Sequence, residues 1–401
     1  MTKLIAGLDI GNGYVKGSVY GNDFTRIDIP SSVAFLTDTN DMKETNVKDT
    51  MDDIFNQLDV SFQSHLVEDS TRRLFGTRGL MSGMPIDEFD VYSGVSKAHQ
   101  SLAVILTLGC LAAKAMKDYY TEHKKLPEEV LKVNVRIALA LPIDEFMKYR
   151  KEYANRYKEK NHIVEIHNFE QIVRVELHFE DVQVVAEGQA AQKAINAKGE
   201  EFMEAMLADI RRMGEPLEGI TAKDVLAASN SIGVDIGEGT VNFPVYQNGK
   251  FNPDASFSLE KGYGDVLNRA LSRLNSQGYA FSSRKELQDF LNRTPSKLNA
   301  NRYKKVQDVV DSEITSFVTE VNLRFSQILK RVGTYTEVVF VYGGGATPVR
   351  NELYPMLIEK SKQFGGGELL CPILYLDSAY SRWLNNEGLY VIADVYAKKS
   401  K

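Results

Sequence analysis

The chain has 401 residues and a formal net charge of −6, with 43% hydrophobic and 25% charged residues. This length allows two or three domains with substantial cores, and the composition excludes a wholly disordered chain, a collagen and a coiled-coil rod. The acidic balance argues against a protein that coats nucleic acid, because neutralising phosphates requires clustered Lys and Arg. Any role on DNA therefore requires a partner protein.

The cysteines, the histidines and the apolar runs exclude further classes of protein. Cys110 and Cys371 are too few for a disulfide framework or a four-ligand zinc site. The six histidines show no metal-ligand spacing, so we expect no protein-ligated transition metal. The longest apolar stretch, 102–113, is too short to cross a bilayer. We expect a cytoplasmic protein with no membrane partner.

The first 60 residues predict three β-strands followed by an insertion. Gly-Asn steps separate the apolar runs, and they favour hairpins because both residues tolerate positive φ. The residues that follow, 31–60, are polar, and we expect a mobile insertion there. The predicted strands are 4–9, 14–20 and 24–29.

The middle of the chain alternates predicted strands and helices. Residues 133–141 form a nearly continuous apolar run, which is typical of a strand buried on both faces of a sheet. Pro142 then opens a charged helix, at a position where its missing N–H costs little. The other predicted elements are helices at 96–120 and 144–160, strands at 163–167 and 171–179, and a connecting helix over 187–213.

Two segments of the sequence repeat each other when Asp9 is placed on Asp235, an offset of 226 residues. Gly-Leu-Asp-Ile-Gly-Asn-Gly at 7–13 then faces Gly-Val-Asp-Ile-Gly-Glu-Gly at 233–239. The agreement continues without a gap through Val15, Val19 and Asn22, which face Val241, Val245 and Asn248. The repeat predicts an internal duplication of a strand, turn and strand unit.

The second half also alternates strands with helices, which predicts an α/β protein built as paired domains. We expect domain I over 1–229, with 375–401 returning to it, and domain II over 230–374. The predicted elements are helices from 262, at 284–291, at 302–331 and from 349, and strands at 338–342 and 373–376.

The duplicated glycine turns favour a phosphate site. A tight turn without Cβ atoms exposes backbone N–H groups to a phosphate, and two such turns can hold a triphosphate. Each turn follows a carboxylate, Asp9 or Asp235, which suits the outer shell of a hydrated Mg²⁺. Lys16 would add positive charge beside the phosphates. The run 343–345, three glycines, can provide a flat surface for an adenine ring or serve only as a helix-packing turn.

Five segments resemble the motifs of the actin, Hsp70 and sugar kinase ATPases, in the order that this superfamily has them. DIGNGYVK and VDIGEGTV resemble its two phosphate motifs, and VYGGGATPVRNEL resembles its adenosine motif. AEGQAA and NEGLYVIA resemble its two connecting helices. The segments begin at residues 9, 234, 341, 186 and 386. The resemblance implies an α/β, actin-like (ribonuclease H-like) ATPase fold, with two duplicated domains flanking a nucleotide cleft.

The resemblance also implies roles for individual residues. Glu187 would position the attacking water, and Asp9 and Asp235 would hold Mg²⁺ through water. Glu238 departs from the family pattern, which has Gly there, so its side chain has to point away from the phosphates. The residues expected to bind ATP or ADP are Gly11, Asn12, Gly13, Tyr14, Lys16, Gly237, Glu238, Gly239, Thr240, Gly343, Gly344, Gly345 and Ala346.

Within the superfamily, DIGNGYVK and VYGGGA resemble the bacterial plasmid-segregation actins of the ParM and Alp families. That resemblance implies an ATPase that polymerises with itself into dynamic filaments and reaches plasmid DNA through a DNA-binding adaptor, without direct DNA contact. Two other classes stay open. One is a small-molecule, sugar-type kinase of the same fold, for which Asp144 is the only candidate base. The other is a nucleotide-gated binding protein that forms no filaments.

Overall fold

Strands and helices alternate along the chain in the computed structural model, which describes residues 2–36, 46–90, 95–215, 217, 219–376 and 378–399. The strands are β1 (Thr2–Ile10), β2 (Tyr14–Tyr20), β3 (Phe24–Pro30), β4 (Ser32–Leu36), β5 (Asp59–Gln63), β6 (Arg72–Phe75), β7 (Ile86–Glu88), β8 (Leu131–Leu141), β9 (His162–Ile166), β10 (Val173–Ala186), β11 (Ser231–Ile236), β12 (Val241–Phe243), β13 (Val245–Gln247), β14 (Lys250–Phe251), β15 (Phe257–Leu259), β16 (Val338–Tyr342) and β17 (Ile373–Tyr375). The helices are α1 (Val47–Asp52), α2 (Ile54–Gln57), α3 (Gly76–Met81), α4 (Ser101–His123), α5 (Ile143–Lys158), α6 (Gln189–Ala197), α7 (Gly199–Arg212), α8 (Ala222–Ala227), α9 (Tyr263–Ser276), α10 (Arg284–Leu291), α11 (Ala300–Val332), α12 (Ala346–Phe364), α13 (Ser378–Ser381) and α14 (Leu384–Lys399).

The chain divides into two compact units. Unit 1 comprises Met1–Ile195 and Trp383–Lys401, and unit 2 comprises Asn196–Arg382. The duplicated hairpins fall one in each unit, as the sequence repeat predicts. The boundaries lie at 195/196 and 382/383 and not at the predicted 229/230 and 374/375, because α7 and α8 at one end and α13 at the other belong to unit 2. Asp209 of α7 pairs with Arg350 of α12, an ion pair that ties α7 to that unit.

Unit 1 is built on a mixed sheet with the strand order β3-β2-β1-β8-β10-β9-β5-β6-β4-β7. β1, β8 and β10 run parallel at its centre, so their carboxyl ends reach the same edge. Val135 and Ile137 of β8 join the core that contains α4, whereas Ala138 contacts the cluster with Leu389 of α14. Because alternate side chains of a strand point to opposite faces, α4 and α14 cover opposite faces of the sheet.

Unit 2 repeats the central part of this arrangement on a smaller scale. β11 pairs with β12 and β13 on one side and runs parallel to β16 on the other, and β16 is followed by β17. The long helix α11 packs against α9 and α12. Apolar side chains from these helices and from β11 and β16 form the core of the unit.

Most of the segment 31–60, which the sequence predicts as a mobile insertion, has regular secondary structure. The described part contains β4, α1, α2 and the start of β5. Val33, Met51 and Ile54 are buried, and the burial of these scattered apolar residues holds the segment in regular structure. Residues 37–45 of the predicted insertion lie outside the described residues.

The predicted connecting helix over 187–213 is two helices, α6 and α7. Gly199, the first residue of α7, has a φ of 81°, a left-handed conformation that cannot continue the right-handed helix α6. The strand predicted at 171–179 extends to Ala186 as β10, with a change of register between Phe179 and Asp181. The predicted helix from Val349 begins three residues earlier, at Ala346.

Candidate functional site

The first glycine turn closes the hairpin between β1 and β2. Asp9 lies opposite Lys16 in the strand register. The Gly11 N–H donates to the Tyr14 carbonyl oxygen over 3.1 Å. A Cβ atom at Gly11 would lie 2.9 Å from that oxygen, so the turn requires glycine at this position. The turn residues 12–13, Asn and Gly, are only partly buried.

Asp9 is a buried carboxylate with a cation beside it. Its Oδ2 lies 3.8 Å from the Lys16 Nζ. Burial raises the pKa of Asp9 above its ordinary value, and the nearby Glu187 carboxylate adds to that effect. The positive charges of Lys16 and Lys97 act in the opposite direction. The first turn therefore holds a carboxylate within a group of mutually interacting charges.

Lys97 is a residue of this group that the sequence analysis missed. It lies in a single 3-10 turn, Lys97–His99, just before α4, and its Nζ donates to the Glu187 Oε1 over 2.9 Å. Burial alone would lower the pKa of Lys97, but the Glu187 and Asp9 carboxylates outweigh it and the pKa is raised. Lys97 is therefore held as a charged, buried ammonium.

The backbone around Lys97 is fixed by α5. The Glu145 carboxylate accepts the N–H of Lys97 over 2.9 Å and the N–H of Ala98 over 3.0 Å. Arg156 donates to the Ala98 carbonyl oxygen. Charge-assisted hydrogen bonds of this kind are the stronger ones in proteins. No motif marks position 97; the only signal is a lysine between a polar loop and a long apolar helix.

Glu187 comes directly after β10. Its backbone N–H donates to the Leu141 carbonyl oxygen at the end of β8 over 2.7 Å. Gly188, with a φ of 78°, then turns the chain into α6. Because β1, β8 and β10 are parallel, Asp9 and Glu187 reach the same edge of the sheet, the edge at which α/β sheets bind ligands. The structure thus brings together Asp9, Lys16, Lys97 and Glu187.

The second glycine turn, in unit 2, has the same backbone bond. The Gly237 N–H donates to the Thr240 carbonyl oxygen over 2.8 Å. Asp235 is buried at the end of β11 and lies opposite Asn242 in the register. The turn also supports α9, because the Gly237 oxygen accepts the Tyr263 N–H over 3.0 Å.

Glu238 contacts α10. The Arg284 Nη1 donates to its Oε1 over 3.0 Å, and both side chains are 37% exposed. The Glu238 carbonyl oxygen accepts the Gly264 N–H at the start of α9. Arg284 thus gives the unusual Glu238 side chain a partner within unit 2. Its orientation relative to a bound phosphate stays a prediction.

The three glycines after β16 have different surroundings: two are closely packed and one is exposed. Gly343 has a φ of 100°, and a Cβ atom there would lie 2.3 Å from the Ile236 oxygen and 2.6 Å from the Asp235 Oδ1. Gly345 donates to the Ile236 oxygen over 2.8 Å, and Ala346 begins α12. A Cβ atom at Gly344 would meet nothing closer than 3.9 Å. Gly343 and Gly345 are therefore packing glycines, and Gly344 leaves room for a ligand.

The buried carboxylates at the two turns are of the kind that would serve the outer shell of a hydrated Mg²⁺. Among the described residues, no group of three or more His, Cys, Asp or Glu could hold a metal ion. Each turn instead offers one buried carboxylate, Asp9 or Asp235. Mg²⁺ commonly keeps several waters and uses one or two carboxylates together with substrate phosphates.

None of the helices in the described part of the chain is long and apolar enough to cross a membrane.

Two family matches cover most of the chain. Residues 7–189 match the N-terminal domain of actin-like proteins, and residues 233–354 match the C-terminal domain of the archaeal MreB-like actin homologues. The chain therefore belongs to the actin-like superfamily and has the actin-like fold. This confirms the fold class and the family that the five motifs predict.

Solved structures of actin-like proteins are similar to this chain over nearly its whole length. The actin-like protein Alp7A matches with a TM-score of 0.67 and 16% identity, covering 99% of this chain and 97% of that one. The apo pSK41 ParM protein has a TM-score of 0.55 and 19% identity, covering 99% and 98%. Bacillus thuringiensis ParM with ATP has a TM-score of 0.61 and 14% identity, covering 98% and 99%. At these identities the similarity establishes the fold. No curated protein sequence matches the chain.

Proposed function

We propose that this chain is a polymerising bacterial actin, which binds Mg·ATP, hydrolyses it and forms dynamic filaments that segregate plasmid DNA. The observation that carries the ATPase part is the group formed by Asp9, Lys16, Lys97 and Glu187 at the first glycine turn. The filament part is supported by the similarity to ParM and Alp7A structures. Nucleotide binding is supported by the Bacillus thuringiensis ParM structures with ADP and ATP.

The proposed chemistry in unit 1 is orientation of a water molecule. Lys16 and the turn residues 11–14 would bind phosphate oxygens, and Glu187 would orient the water for in-line attack. The water oxygen forms a bond to the γ-phosphorus, the bond to the bridging oxygen breaks with its electron pair on ADP, and the water protons pass to phosphate. Asp9 would bind Mg²⁺ through water. Bound Mg²⁺ would neutralise charge on the β- and γ-phosphate oxygens.

The proposed role of unit 2 is binding. The residues of the second turn, 237–240, would donate backbone hydrogen bonds to phosphate, and Asp235 would contact a water of Mg²⁺. Gly344 and its neighbours at 343–346 would lie beside the adenosine. After hydrolysis the contacts to the γ-phosphate are lost, which would weaken contacts between subunits and set the lifetime of the filament.

The proposed partners are further copies of this chain and a DNA-binding adaptor that links the filament to the plasmid, in the cytoplasm. The net charge of −6 supports an adaptor over direct DNA contact, because a polyanion repels an acidic surface. Cys110 and Cys371 are free and buried, and a reducing compartment would keep them so.

The test is a concentration series of the purified chain with Mg·ATP, followed by light scattering, phosphate release and negative-stain imaging. We expect scattering and filaments above a threshold concentration, with an ATPase rate that rises steeply there. ATP binding without scattering at any concentration would contradict the filament proposal and favour a gated binding protein. ATP consumption only with an added acceptor would favour a kinase.

Asp235→Ala separates hydrolysis from assembly. We expect it to slow phosphate release while its ATP-dependent filaments persist longer than those of the wild type. Asp254→Ala is a matched control, because Asp254 is an exposed aspartate in the same unit. Rapid disassembly of the Asp235→Ala filaments would count against the assignment.

A further inference from the structure

The ion pair between Lys97 and Glu187 has a consequence for how the first turn responds to its ligand. Glu187 is the residue proposed to orient water, yet its Oε1 accepts a hydrogen bond from the Lys97 Nζ over 2.9 Å. The exposed fraction of the two side chains is 8% for Lys97 and 13% for Glu187. An ion pair this well shielded from water is strong, so Lys97 restrains the Glu187 carboxylate while the pair is formed.

Hydrogen bonds hold the backbone at both residues of this pair. The two oxygens of Glu145 hold the backbone N–H groups of Lys97 and Ala98. The backbone of Glu187 is held by its hydrogen bond to Leu141. A lysine side chain has four rotatable bonds, so the ammonium can move between neighbouring anions while its backbone stays in place.

The lysines at the first turn already have carboxylates beside them. Lys16 and Lys97 contribute two positive charges, Asp9 and Glu187 contribute two negative ones, and the Glu145 carboxylate also acts on Lys97. A γ-phosphate adds negative charge and strong acceptor oxygens at this point. It therefore competes with Glu187 for the Lys97 ammonium, whereas ADP, which lacks that group, does not.

We propose that Lys97 is a triphosphate sensor, which pairs with Glu187 until a γ-phosphate binds and then transfers to a γ-phosphate oxygen. The transfer releases the Glu187 carboxylate to orient water. Lys97 thereby makes the site prefer ATP over ADP and couples occupancy of the γ-phosphate position to hydrolysis. This inference rests on the proposed function, because it requires that the first turn binds ATP.

A second buried lysine of unit 1 provides the matched control. Lys114 of α4 donates to Asp23 and Asp118 over 2.5 Å each, and its side chain is fully buried. Its partners tie the turn after β2 to α4 and have no place in the proposed phosphate site. Lys114→Met therefore removes a buried, ion-paired lysine from the same unit without touching the site.

The experiment measures the affinity for Mg·ADP and for Mg·AMPPNP, an analogue that is not hydrolysed, by titration calorimetry below the concentration at which the chain assembles. We expect Lys97→Met to weaken AMPPNP binding about tenfold or more, the size of a lost charge-assisted hydrogen bond, and ADP binding by less than about twofold. Lys97→Arg should restore most of the preference for AMPPNP. Lys114→Met should leave the ratio of the two affinities unchanged.

Glu187→Gln tests the competition between Glu187 and the γ-phosphate by weakening Glu187. The neutral amide holds Lys97 less strongly, so we expect AMPPNP to bind severalfold more tightly than to the wild type, with ADP binding unchanged. This variant also carries the test if Lys97→Met does not fold, which circular dichroism would reveal.

The outcomes separate this inference from the proposed function. A wild-type chain that binds neither nucleotide overturns the proposed function. A wild-type chain that binds both, together with an unchanged AMPPNP to ADP ratio in Lys97→Met, overturns the sensor while leaving the proposed function intact. Weaker AMPPNP binding by Glu187→Gln would overturn the sensor as well.

Discussion

The two glycine turns share a backbone and differ in charge. In both, the N–H of the first glycine donates to the carbonyl oxygen three residues later, at 3.1 Å for Gly11 and 2.8 Å for Gly237. Both follow a buried aspartate. Lys16 lies opposite Asp9, whereas Asn242 lies opposite Asp235. The duplication therefore kept the turn, while the residue opposite the aspartate is a lysine in the first copy and an asparagine in the second.

The hairpins that carry the turns also differ in continuity. β1 and β2 pair without a break from Ile10 back to Ile5, whereas β11 pairs with β12 at two positions and with β13 at two more. Pro244 interrupts the second hairpin because proline lacks the N–H that a ladder needs. It occupies the place of Ser18, which donates to Asn386 of α14. The first copy is thus bound more tightly to its own unit, which suits the part of the site that would orient a water molecule.

The sharpest way to separate the two copies is to add a methyl group at their matched glycines. At Gly7 a Cβ atom would lie 2.2 Å from the backbone nitrogen of Tyr390, and at Gly233 it would lie 2.7 Å from side-chain atoms of Pro244 and Tyr342. Because backbone yields less than side chains, we expect Gly7→Ala to lower the free energy of unfolding by about 3 kcal/mol and Gly233→Ala by about 1 kcal/mol. Urea unfolding measures both.

Trp383 is the sole tryptophan of the chain and belongs to unit 1, so its fluorescence follows the unit that Gly7→Ala affects. Circular dichroism follows both units. Equal losses in the two variants would contradict the view that α14 fixes the first hairpin more firmly than side chains fix the second.

The aspartates test whether both copies contribute to one activity. We expect Asp9→Asn and Asp235→Asn each to reduce Mg-dependent ATP hydrolysis by roughly 10- to 100-fold. This is the usual cost of losing a residue that contacts a metal's ligands, here its bound water, and not the metal itself. Phosphate release at saturating Mg·ATP measures this, with Asp254→Asn as the control. Full activity in either variant would assign the metal to the other turn alone.

Lowering the pH should destabilise unit 1 more than unit 2, because all six histidines lie in unit 1. Burial lowers the pKa of His162 and of His167 below the ordinary value of 6.5, so the unfolded chain binds protons more readily than the folded one. Their contribution to stability is intact above that value and is lost as the pH falls through it. We expect the urea midpoint reported by Trp383 to drop between about pH 7.5 and about pH 5.5.

His162→Gln should flatten that dependence. A midpoint that stays constant in the wild type would contradict the prediction, and so would an equal drop in a probe placed in unit 2.

The smallest effect is expected at Glu238, the residue that replaces glycine in the second motif. Its ion pair with Arg284 is partly exposed, so we expect Glu238→Gln to change the free energy of unfolding by less than about 1 kcal/mol. A double-mutant cycle with Arg284→Gln measures the coupling between the two side chains. A larger coupling would mean that this pair, and not the turn itself, holds the start of α9.

Much of the architecture followed from local pattern. The apolar run of β8 and the helix α10 were predicted within two residues, because period and composition report burial directly. The strand and helices within 31–60 were missed because their buried residues, such as Met51 and Ile54, are too widely spaced to form a periodic pattern. The break at Gly199 was missed because a glycine inside a helical pattern does not reveal its own φ.

The candidate site shows the same division. The two Asp-Ile-Gly turns and Glu187 carry motif signals that are contiguous in the chain. Lys97 carries none, since the contacts that make it important, to Glu187 and Glu145, join segments about 90 and about 48 residues away.

The sequence by itself determined the duplication, the actin-like fold and the position of both glycine turns, because each depends on neighbouring residues whose backbone preferences are local. The tertiary structure alone decided where the charges meet. The parallel strands β1, β8 and β10 bring their ends to one edge, and α5 fixes the turn that carries Lys97. Electrostatic interactions depend on distance in space, which the order of residues along a chain does not give.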